Sequence, residues 1–507
     1  MKYYSEIRPI ESPIPADRQG ARRHYGVHPY FTRRPYNVVR DYILRYSRPG
    51  DVVLDPFGGS GVTAIEAFLE NRIGMHNDIN PLANFIAGGI AGLAKGNLAD
   101  YEESLVYIEG KCRYTITRIH ELPEKELERL KRTLRLPENV FLPRNSDAKQ
   151  YYDLFSLEQL MSLAILKDAI DSIPNEPVRK GMLLAWSATL TKLNKTFLSA
   201  EGRAESRGGS SIFSIYRYKL AKQPIELLAW ETFYERATNV IKAKVEIEQA
   251  IQLKKQTGGF SGRFELHAKD VEDLASEFPN SIDYIFTDPP YGGHISYLDL
   301  STLWNSWLGL STDTPTREKE LIVGGDLNLT ERSYIERLGK SVEACVKMLK
   351  KDRWLSIVFQ HWNVSYFEAI LSTATESGAE LRAAISQVGD PIWSMHKKKN
   401  NSVLAGELIL TFHKTGAVKS VKRKEEFDIS HALTRILKNT HSDKVYGEYL
   451  FNQLIIEAWK GSAINSLDIT KQDFMQLLMQ SGWDYDEERH YWVKDRPQRE
   501  LLFTAPG

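Results

Sequence analysis

Apolar positions along the chain follow two different spacings, and each marks a different kind of element. Between Pro35 and Tyr46 the residues Val38, Val39, Tyr42, Ile43 and Tyr46 recur at three- and four-residue steps, one face of a helix. Pro49-Gly50 ends that pattern. Asp51-Val52-Val53-Leu54-Asp55 is then an apolar run of the length of a buried strand, followed by the turn Pro56-Phe57-Gly58-Gly59-Ser60-Gly61. Residues 62–71 read as a second helix and 72–77 as a second strand ending near Asp78. Strand, glycine turn, helix and strand make half of a doubly wound α/β sheet.

Beyond this unit the period becomes helical over long stretches, at 157–173, 179–193 and 224–251, with a glycine- and serine-rich loop over 202–211. Strand patterns resume at Phe264-Glu265-Leu266-His267 and Ile282-Asp283-Tyr284-Ile285-Phe286, with further candidates at 354–359 and 407–412. The expected architecture is therefore one α/β, Rossmann-like doubly wound sheet split by a helical insertion. Residues 1–95 hold an N-terminal arm and the first half of the sheet, and 96–261 form the insertion. Residues 262–418 hold the second half. After the lysine-rich stretch 419–424, residues 426–507 read as a small, mainly helical C-terminal domain. Repeats at solenoid periods are absent.

Composition adds limits. With 42% hydrophobic and 26% charged residues over 507 positions, the chain has the balance of an ordinary globular protein with several domains' worth of core. No apolar run reaches the roughly eighteen residues of a membrane span, and the N-terminus carries no apolar stretch of a signal peptide. Cys112 and Cys345 are the only cysteines, which excludes a disulfide scaffold or cysteine-rich zinc site and fits a reducing cytoplasm. The formal net charge is zero, so charge alone does not announce a nucleic-acid partner. Its distribution is uneven: eight arginines, at 18, 22, 23, 33, 34, 40, 45 and 48, face a single acid, Asp41. Such a stretch either neutralises phosphates or forms a solvated basic face.

The glycine turn narrows the chemistry. Glycine lets backbone approach a ligand closely, but the spelling is neither GxGxxG nor a P-loop. Asp55 stands before the glycines, where a carboxylate repels a pyrophosphate and accepts hydrogen bonds from a cationic amino group. Asp78 ends the next strand, the place where an acid takes ribose hydroxyls. An adenosine ligand carrying an ammonium and no phosphate fits both acids, as S-adenosylmethionine does; glycines in a purely structural turn are the bland alternative for this segment alone.

Asp288-Pro289-Pro290-Tyr291 follows the strand pattern at 282–286 and precedes Gly292-Gly293, which places it at the carboxyl edge of the sheet. The amino nitrogen of adenine or cytosine is flat and a poor nucleophile, because its lone pair is delocalised into the ring. The Asp288 carboxylate and the Pro289 carbonyl can each accept one of its N–H groups and turn the lone pair outward. Consecutive prolines hold these acceptors in place before the substrate arrives. Tyr291 offers a flat face for an extruded base. A strand with a proline turn and a packed tyrosine is the bland alternative for the tetrad alone; next to the Asp55–Gly61 turn it loses ground.

Together these segments resemble the DNA amino-methyltransferases, which make N6-methyladenine or N4-methylcytosine. His28-Pro29, Arg34-Pro35 and the helix into Pro49-Gly50 are similar to that family's N-terminal cofactor motif. Residues Asp55, Pro56, Phe57, Gly58, Gly59, Ser60 and Gly61 are similar to its methionine-binding motif. Asp78-Ile79-Asn80-Pro81 looks like its ribose-binding acid, Ala268-Lys269-Asp270 like the segment that reads the cofactor adenine, and Asp288 to Tyr291 like its catalytic tetrad. The resemblance covers 1–95 and 262–415. It implies a methyltransferase sheet, S-adenosylmethionine as cofactor, and double-stranded DNA as substrate. Asp288, Pro289, Pro290 and Tyr291 would be catalytic; His28, the 55–61 turn, Asp78, Asn80 and Asp270 would bind cofactor. An aspartate opening the tetrad leans toward adenine.

Two departures stand out. The spelling resembles the group that places the tetrad before the glycine motif, whereas here the glycine motif comes first, and the insertion is unusually long. Either the insertion or the C-terminal domain would read the target. Tyr216-Arg217-Tyr218-Lys219, where aromatic and basic residues interleave, suits base stacking and phosphate contact and with the basic loop before it favours the insertion, while a packed helix end is the equal alternative for that stretch. Tyr297, Trp304 and Trp307 either wall a base pocket or form the apolar face of a helix. His294 needs no catalytic role, and His361-Trp362-Asn363 approaches cofactor or base. No metal-ligand spacing is present, and direct methyl transfer requires no metal. Rival readings are cytosine-N4 methylation, RNA guanine-N2 methylation, and a non-catalytic DNA-binding subunit of a restriction or defence complex.

Overall fold

The computed structural model describes residues 2–17, 22–198, 209–293, 295–310, 312–388, 406–421, 424, 426–445, 447–486 and 491–494. His294 and the glycine-rich loop through residue 208 lie outside the described residues.

Seven strands form the central sheet: β1 (Val52–Asp55), β2 (Ile73–Asn77), β3 (Arg263–His267), β4 (Ile282–Thr287), β5 (Leu349–Phe359), β6 (Ala379–Val388) and β7 (Gly406–Lys414). Their order is β3-β2-β1-β4-β5-β7-β6. β7 runs antiparallel to both its neighbours, and the remaining pairings are parallel. Every residue of β4 is buried, as a central parallel strand covered on both faces requires. β6 went unread in the sequence because Ala379, Glu380, Arg382 and Ala383 are poor strand formers; pairing with β7 along its length decides its conformation.

Helix α1 (Tyr36–Tyr46) buries the stripe expected of it, Val38, Val39, Tyr42, Ile43 and Tyr46. Tyr46 stacks on Tyr284 of β4 at 5.3 Å and packs against Trp354 of β5 at 5.1 Å, so this helix roofs the middle of the sheet. Helix α2 (Val62–Leu69), between β1 and β2, is buried at every position, and α3 (Pro81–Gly92) follows β2.

Between α3 and β3 run the longer helices α4 (Leu98–Thr117), α5 (Leu157–Asp171), α6 (Glu176–Leu190) and α7 (Ala229–Thr257). Their apolar residues merge with those of α1 and α2 into one continuous core. Lys244 of α7 is fully buried and donates to the carbonyls of Leu93 at 3.1 Å and Gly96 at 2.9 Å, which tethers α7 to the end of α3.

On the other side, α8 (Val271–Glu277), α9 (Thr302–Leu308), α10 (Glu331–Met348) and α11 (Val364–Glu376) accompany the second half of the sheet. The C-terminal residues contribute α12 (Ile429–Lys438), α13 (Gly447–Lys460) and α14 (Lys471–Gln480), plus a three-stranded sheet at 444–445, 491–494 and 483–486. Leu450, Phe451 and Leu454 of α13 share a core with Leu408, Leu410 and Phe412 of β7. No helix among the described residues is long and apolar enough to cross a membrane.

Candidate active site

Because β1 and β4 are neighbours in parallel register, with Val53 opposite Tyr284 and Leu54 opposite Ile285, their carboxyl ends emerge side by side. The Asp55 turn and the Asp288 tetrad therefore meet in one cleft, whose volume including its open mouth is about 1010 Å³. Asp55 is the joint between them. Its Oδ1 accepts from Thr287 Oγ1 at 2.8 Å and from the Phe57 N–H at 3.1 Å, and its Oδ2 accepts from Thr63 Oγ1 at 2.9 Å. Burial pushes its pKa up to about 7, against the pull of these three donors, and nearby Asp288 adds to the rise.

The glycine turn is held on its far side by β2. Gly58 N–H donates to the Asn77 carbonyl at 2.8 Å, and Gly59 N–H donates to Asp78 Oδ2 at 2.8 Å. The Asn80 N–H donates to Asp78 Oδ1 at 2.8 Å, while the Asn80 side chain caps α3 by accepting from Leu82 N–H. Burial raises Asp78 to about 6, although these backbone donors oppose the shift. Gly61 sits at φ +87° at the start of α2, and a Cβ there would lie 2.7 Å from Ala87 Cβ on α3. Its part is thus to let two helices and the turn close together; it does not line the cleft. Gly61→Ala is expected to destabilise the fold by roughly 2–4 kcal/mol, from the left-handed backbone and the helix clash together. Urea denaturation of both proteins measures it, and an unchanged midpoint would contradict the packing argument.

Asp270 caps α8, accepting from Glu272 N–H at 3.0 Å, and its Oδ2 pairs with Arg337 of α10 at 3.1 Å. Asn77, overlooked in the sequence, connects this end to the glycine turn. Its Nδ2 donates to the carbonyls of Pro56 and Lys269, each at 3.0 Å, and its Oδ1 accepts Lys269 N–H at 3.0 Å. A polar residue at the end of a buried strand, directly before Asp78, was the available signal.

At the tetrad, both Asp288 oxygens are engaged. Oδ2 receives Arg34 Nε at 2.6 Å, and Oδ1 receives the Tyr291 hydroxyl. Arg34 also contacts Tyr291 Oη and pairs with Glu407, a buried carboxylate on β7. Burial disfavours the guanidinium charge, but Asp288 and Glu407 outweigh it and keep Arg34 firmly protonated. The loop is fixed from behind by Tyr334, whose hydroxyl donates to the Pro290 carbonyl at 2.5 Å. Asp288 and Pro290 line the cleft; Pro289 is buried beneath them, and Tyr291 turns edge-on to Phe359 at 5.2 Å. Neither Arg34 nor Glu407 was distinguished in the sequence as a partner of the tetrad. Arg34 was visible as one arginine among eight and as part of the Arg34-Pro35 step in the N-terminal motif, with no partner assigned to it.

Several expectations change. His28, read as cofactor-binding, is fully buried away from the cleft, with Nε2 on Ser187 Oγ at 2.8 Å and Nδ1 on the Pro29 carbonyl at 2.7 Å. Burial lowers its pKa to about 3, so it is a neutral brace between the arm and α6. Tyr218, read as a base-stacking residue, is also fully buried, donating to the Leu300 carbonyl at 2.7 Å, and its neighbour Arg217 pairs with Asp147. Of the three aromatics after the tetrad, Trp304 and Trp307 are core, whereas Tyr297 lines the cleft and stacks on Tyr30. Trp362 packs on Phe451 and Phe474 of the C-terminal helices, and Asn363 caps α11. His361 lies against Tyr366, at 4.4 Å between ring centres.

Of the residues expected from the sequence to bind a cofactor, Asp55, Pro56, Phe57, Gly58, Gly59, Ser60, Asp78, Asn80 and Asp270 thus converge on one cleft with Asp288 and Pro290. The basic residues lining the cleft have partners of their own: Arg34 in Asp288, Arg337 in Asp270, Lys269 in Glu277, Lys319 in Asp273 and Arg33 in backbone carbonyls. That leaves Asp55 and Asp78 to meet a neutral-to-cationic adenosine compound, so the residues present fit S-adenosylmethionine. Among the described residues no group of three or more acidic, histidine or cysteine side chains is placed to hold a metal ion.

Comparison with known proteins agrees with this chemistry. The family model described as DNA methylase matches residues 11–84, a stretch that spans the arm, the glycine turn and Asn80. The Type II methyltransferase M.MjaII of Methanocaldococcus jannaschii is 22% identical over 402 residues, covering 68% of this chain and 73% of that protein. The Type II methyltransferase M.MvaI of Kocuria varians is 22% identical over 302 residues, covering 58% of this chain and 59% of that protein.

Proposed function

Because the chain belongs with the DNA amino-methyltransferases, we propose that it methylates an exocyclic amino group of a base in double-stranded DNA, with adenine N6 the favoured target. The observation that carries this reading is the joining of two motifs: the tetrad acid and the cofactor turn share one cleft and are tied through the Thr287–Asp55 hydrogen bond.

The backbone of Gly58 and Gly59 with Asp55 would hold the methionine part of S-adenosylmethionine, Asp78 the ribose, and Asp270 the adenine. The cofactor supplies an electrophilic methyl group on a sulfonium. Asp288 accepts one N–H of the target amine on a lone pair that Arg34 and Tyr291 leave unused, and the Pro289 carbonyl accepts the other, which gives the nitrogen tetrahedral character and exposes its lone pair. Tyr334 and the two prolines keep these acceptors from shifting. An amine that reaches Asp288 beside a cofactor in this cleft belongs to a base outside the stack, at an unstacking cost of a few kcal/mol. The aspartate at 288 favours adenine. Cytosine presents the same amino group beside a ring nitrogen, so its N4 is the second reading. Relatives that are Type II methyltransferases support a place in a restriction-modification system.

Nucleoside mass spectrometry of DNA from methylation-free cells expressing the protein or Asp288→Ala tests the proposal. N6-methyladenine with the first and none with the second is the expected result. N4-methylcytosine would move the target base, and unmodified DNA in both would overturn the DNA reading.

The raised pKa values of Asp55 and Asp78 give a second expectation. Between their ordinary value near 3.8 and about 7, folded Asp55 keeps a proton that the unfolded chain has released. Ligand-free stability therefore falls as pH rises toward 7. The ammonium group of the ligand's amino-acid part, which S-adenosylhomocysteine shares with S-adenosylmethionine, prefers an ionised carboxylate, so affinity rises over the same window. The increase in melting temperature produced by saturating S-adenosylhomocysteine should be larger at pH 8 than at pH 6. An equal or smaller increase at pH 8 would remove these acids from ligand binding.

A further inference from the structure

One carboxyl in the cleft belongs to none of the motifs. Glu320 lies on the loop between α9 and α10, is 7% exposed, and lines the cleft. Each of the other acids there also anchors protein groups: Asp55 holds Thr63, Thr287 and Phe57, Asp78 holds Gly59 and Asn80, Asp270 holds Glu272 and Arg337, and Asp288 holds Arg34 and Tyr291. Glu320 Oε1 accepts the Leu298 N–H at 3.0 Å, with the Tyr297 N–H beside it. A carboxyl has about four acceptor positions, so capacity remains.

Its position follows from its neighbours. The Lys319 carbonyl receives Arg337, the residue that holds Asp270 at the adenine end. On its other side, Leu298 continues from Tyr297, which stacks on Tyr30, and Tyr30 covers Gly59. Tyr30 feels the charges of both Asp78 and Glu320. Glu320 thus lines the cleft and is linked through its neighbours to both the Asp270 end and the Gly59–Asp78 end, between which the ribose of a bound adenosine would lie. The loop is not free to drift: Arg317 pairs with buried Asp299, Asp326 N–H donates to Asp299 Oδ2 at 2.8 Å, and Lys319 pairs with Asp273 at 2.8 Å.

We infer that Glu320 is a second ribose-binding carboxyl of this site, exchanging a hydrogen bond with a ribose hydroxyl from the loop between α9 and α10. The inference rests on reading the cleft as an S-adenosylmethionine site. Burial, reinforced by Asp299 and opposed by the Leu298 N–H and Arg317, pushes Glu320 up to about 8. At neutral pH it is therefore a protonated acid that offers both a donor and an acceptor. A hydroxyl can use both, and the cleft gains no further negative charge.

The test is calorimetric titration of the full chain with S-adenosylhomocysteine and with its 2′-deoxy and 3′-deoxy analogues. Wild type, Glu320→Ala and Glu320→Gln are compared, with ligand-free thermal unfolding of each. Glu320→Ala should bind S-adenosylhomocysteine roughly tenfold more weakly, and one deoxy analogue should bind the variant and wild type alike. Affinity for S-adenosylhomocysteine within twofold of wild type overturns the inference and leaves the cofactor reading intact. If loss of the Leu298 acceptor unfolds the alanine variant, Glu320→Gln decides. It keeps that acceptor, should lose about threefold toward S-adenosylhomocysteine and nothing toward the same deoxy analogue, and an unchanged affinity overturns the inference. Wild type that fails to bind S-adenosylhomocysteine overturns the cofactor reading and this inference with it.

Discussion

Asp288→Ala is expected to lower the methyl-transfer rate by roughly 10²–10³, while S-adenosylhomocysteine still binds within a few fold of wild type. Removing one preorganised acceptor from a developing charge costs about that much. The acid contacts the target amine in this reading and makes no contact with the glycine turn beyond its Coulombic effect on Asp55. Single-turnover methylation of a duplex carrying the mapped site, beside calorimetric titration, separates the two effects. A rate within tenfold of wild type would mean that another group supplies the acceptor. A parallel loss of ligand binding would mean that Asp288 shapes the cofactor pocket instead.

Arg34→Ala should be the most damaging change in the arm. Arg34 is 14% exposed and stands between Asp288 and Glu407, so its removal leaves two carboxylates without their shared cation. Breaking a buried pair in this way costs roughly 3–5 kcal/mol, which chemical denaturation will read. The catalytic consequence has a definite sign: Asp288 loses the donor that fixes its Oδ2, so the methyl-transfer rate should fall as well. Arg34→Lys restores the charge without the planar fork that reaches Asp288, Glu407 and Tyr291 together. It should regain only part of the stability and part of the rate. An unchanged rate in Arg34→Ala would show that the guanidinium does not position Asp288.

Arg34 also shows where reading a sequence stops. The α1 stripe, the 282–286 run and the Asp55–Gly61 turn were legible because each is local. A helix or strand period states which side is buried, and a glycine turn between a strand and a helix states where backbone lies open. From these, two acids could be assigned to carboxyl edges of one sheet, and Asp288 and Asp55 do meet there. What joined them was decided by strand order: β1 and β4 are adjacent although the whole helical insertion separates them in sequence. The same holds for Glu407 against Arg34, for Asn77 against Lys269, and for Glu320 beneath Tyr297. Each is a polar residue in a stretch whose local pattern gives no role to it.

His28 and Tyr218, the second in the packed role its stretch also allowed, lie away from the cleft for the complementary reason. Their spelling suited a ligand, yet burial against Ser187 and Leu300 made them braces. Local spacing determines which elements form and which of their faces turn inward. Which distant side chains then touch depends on register, crossing and packing, quantities that exist only once the chain has closed on itself.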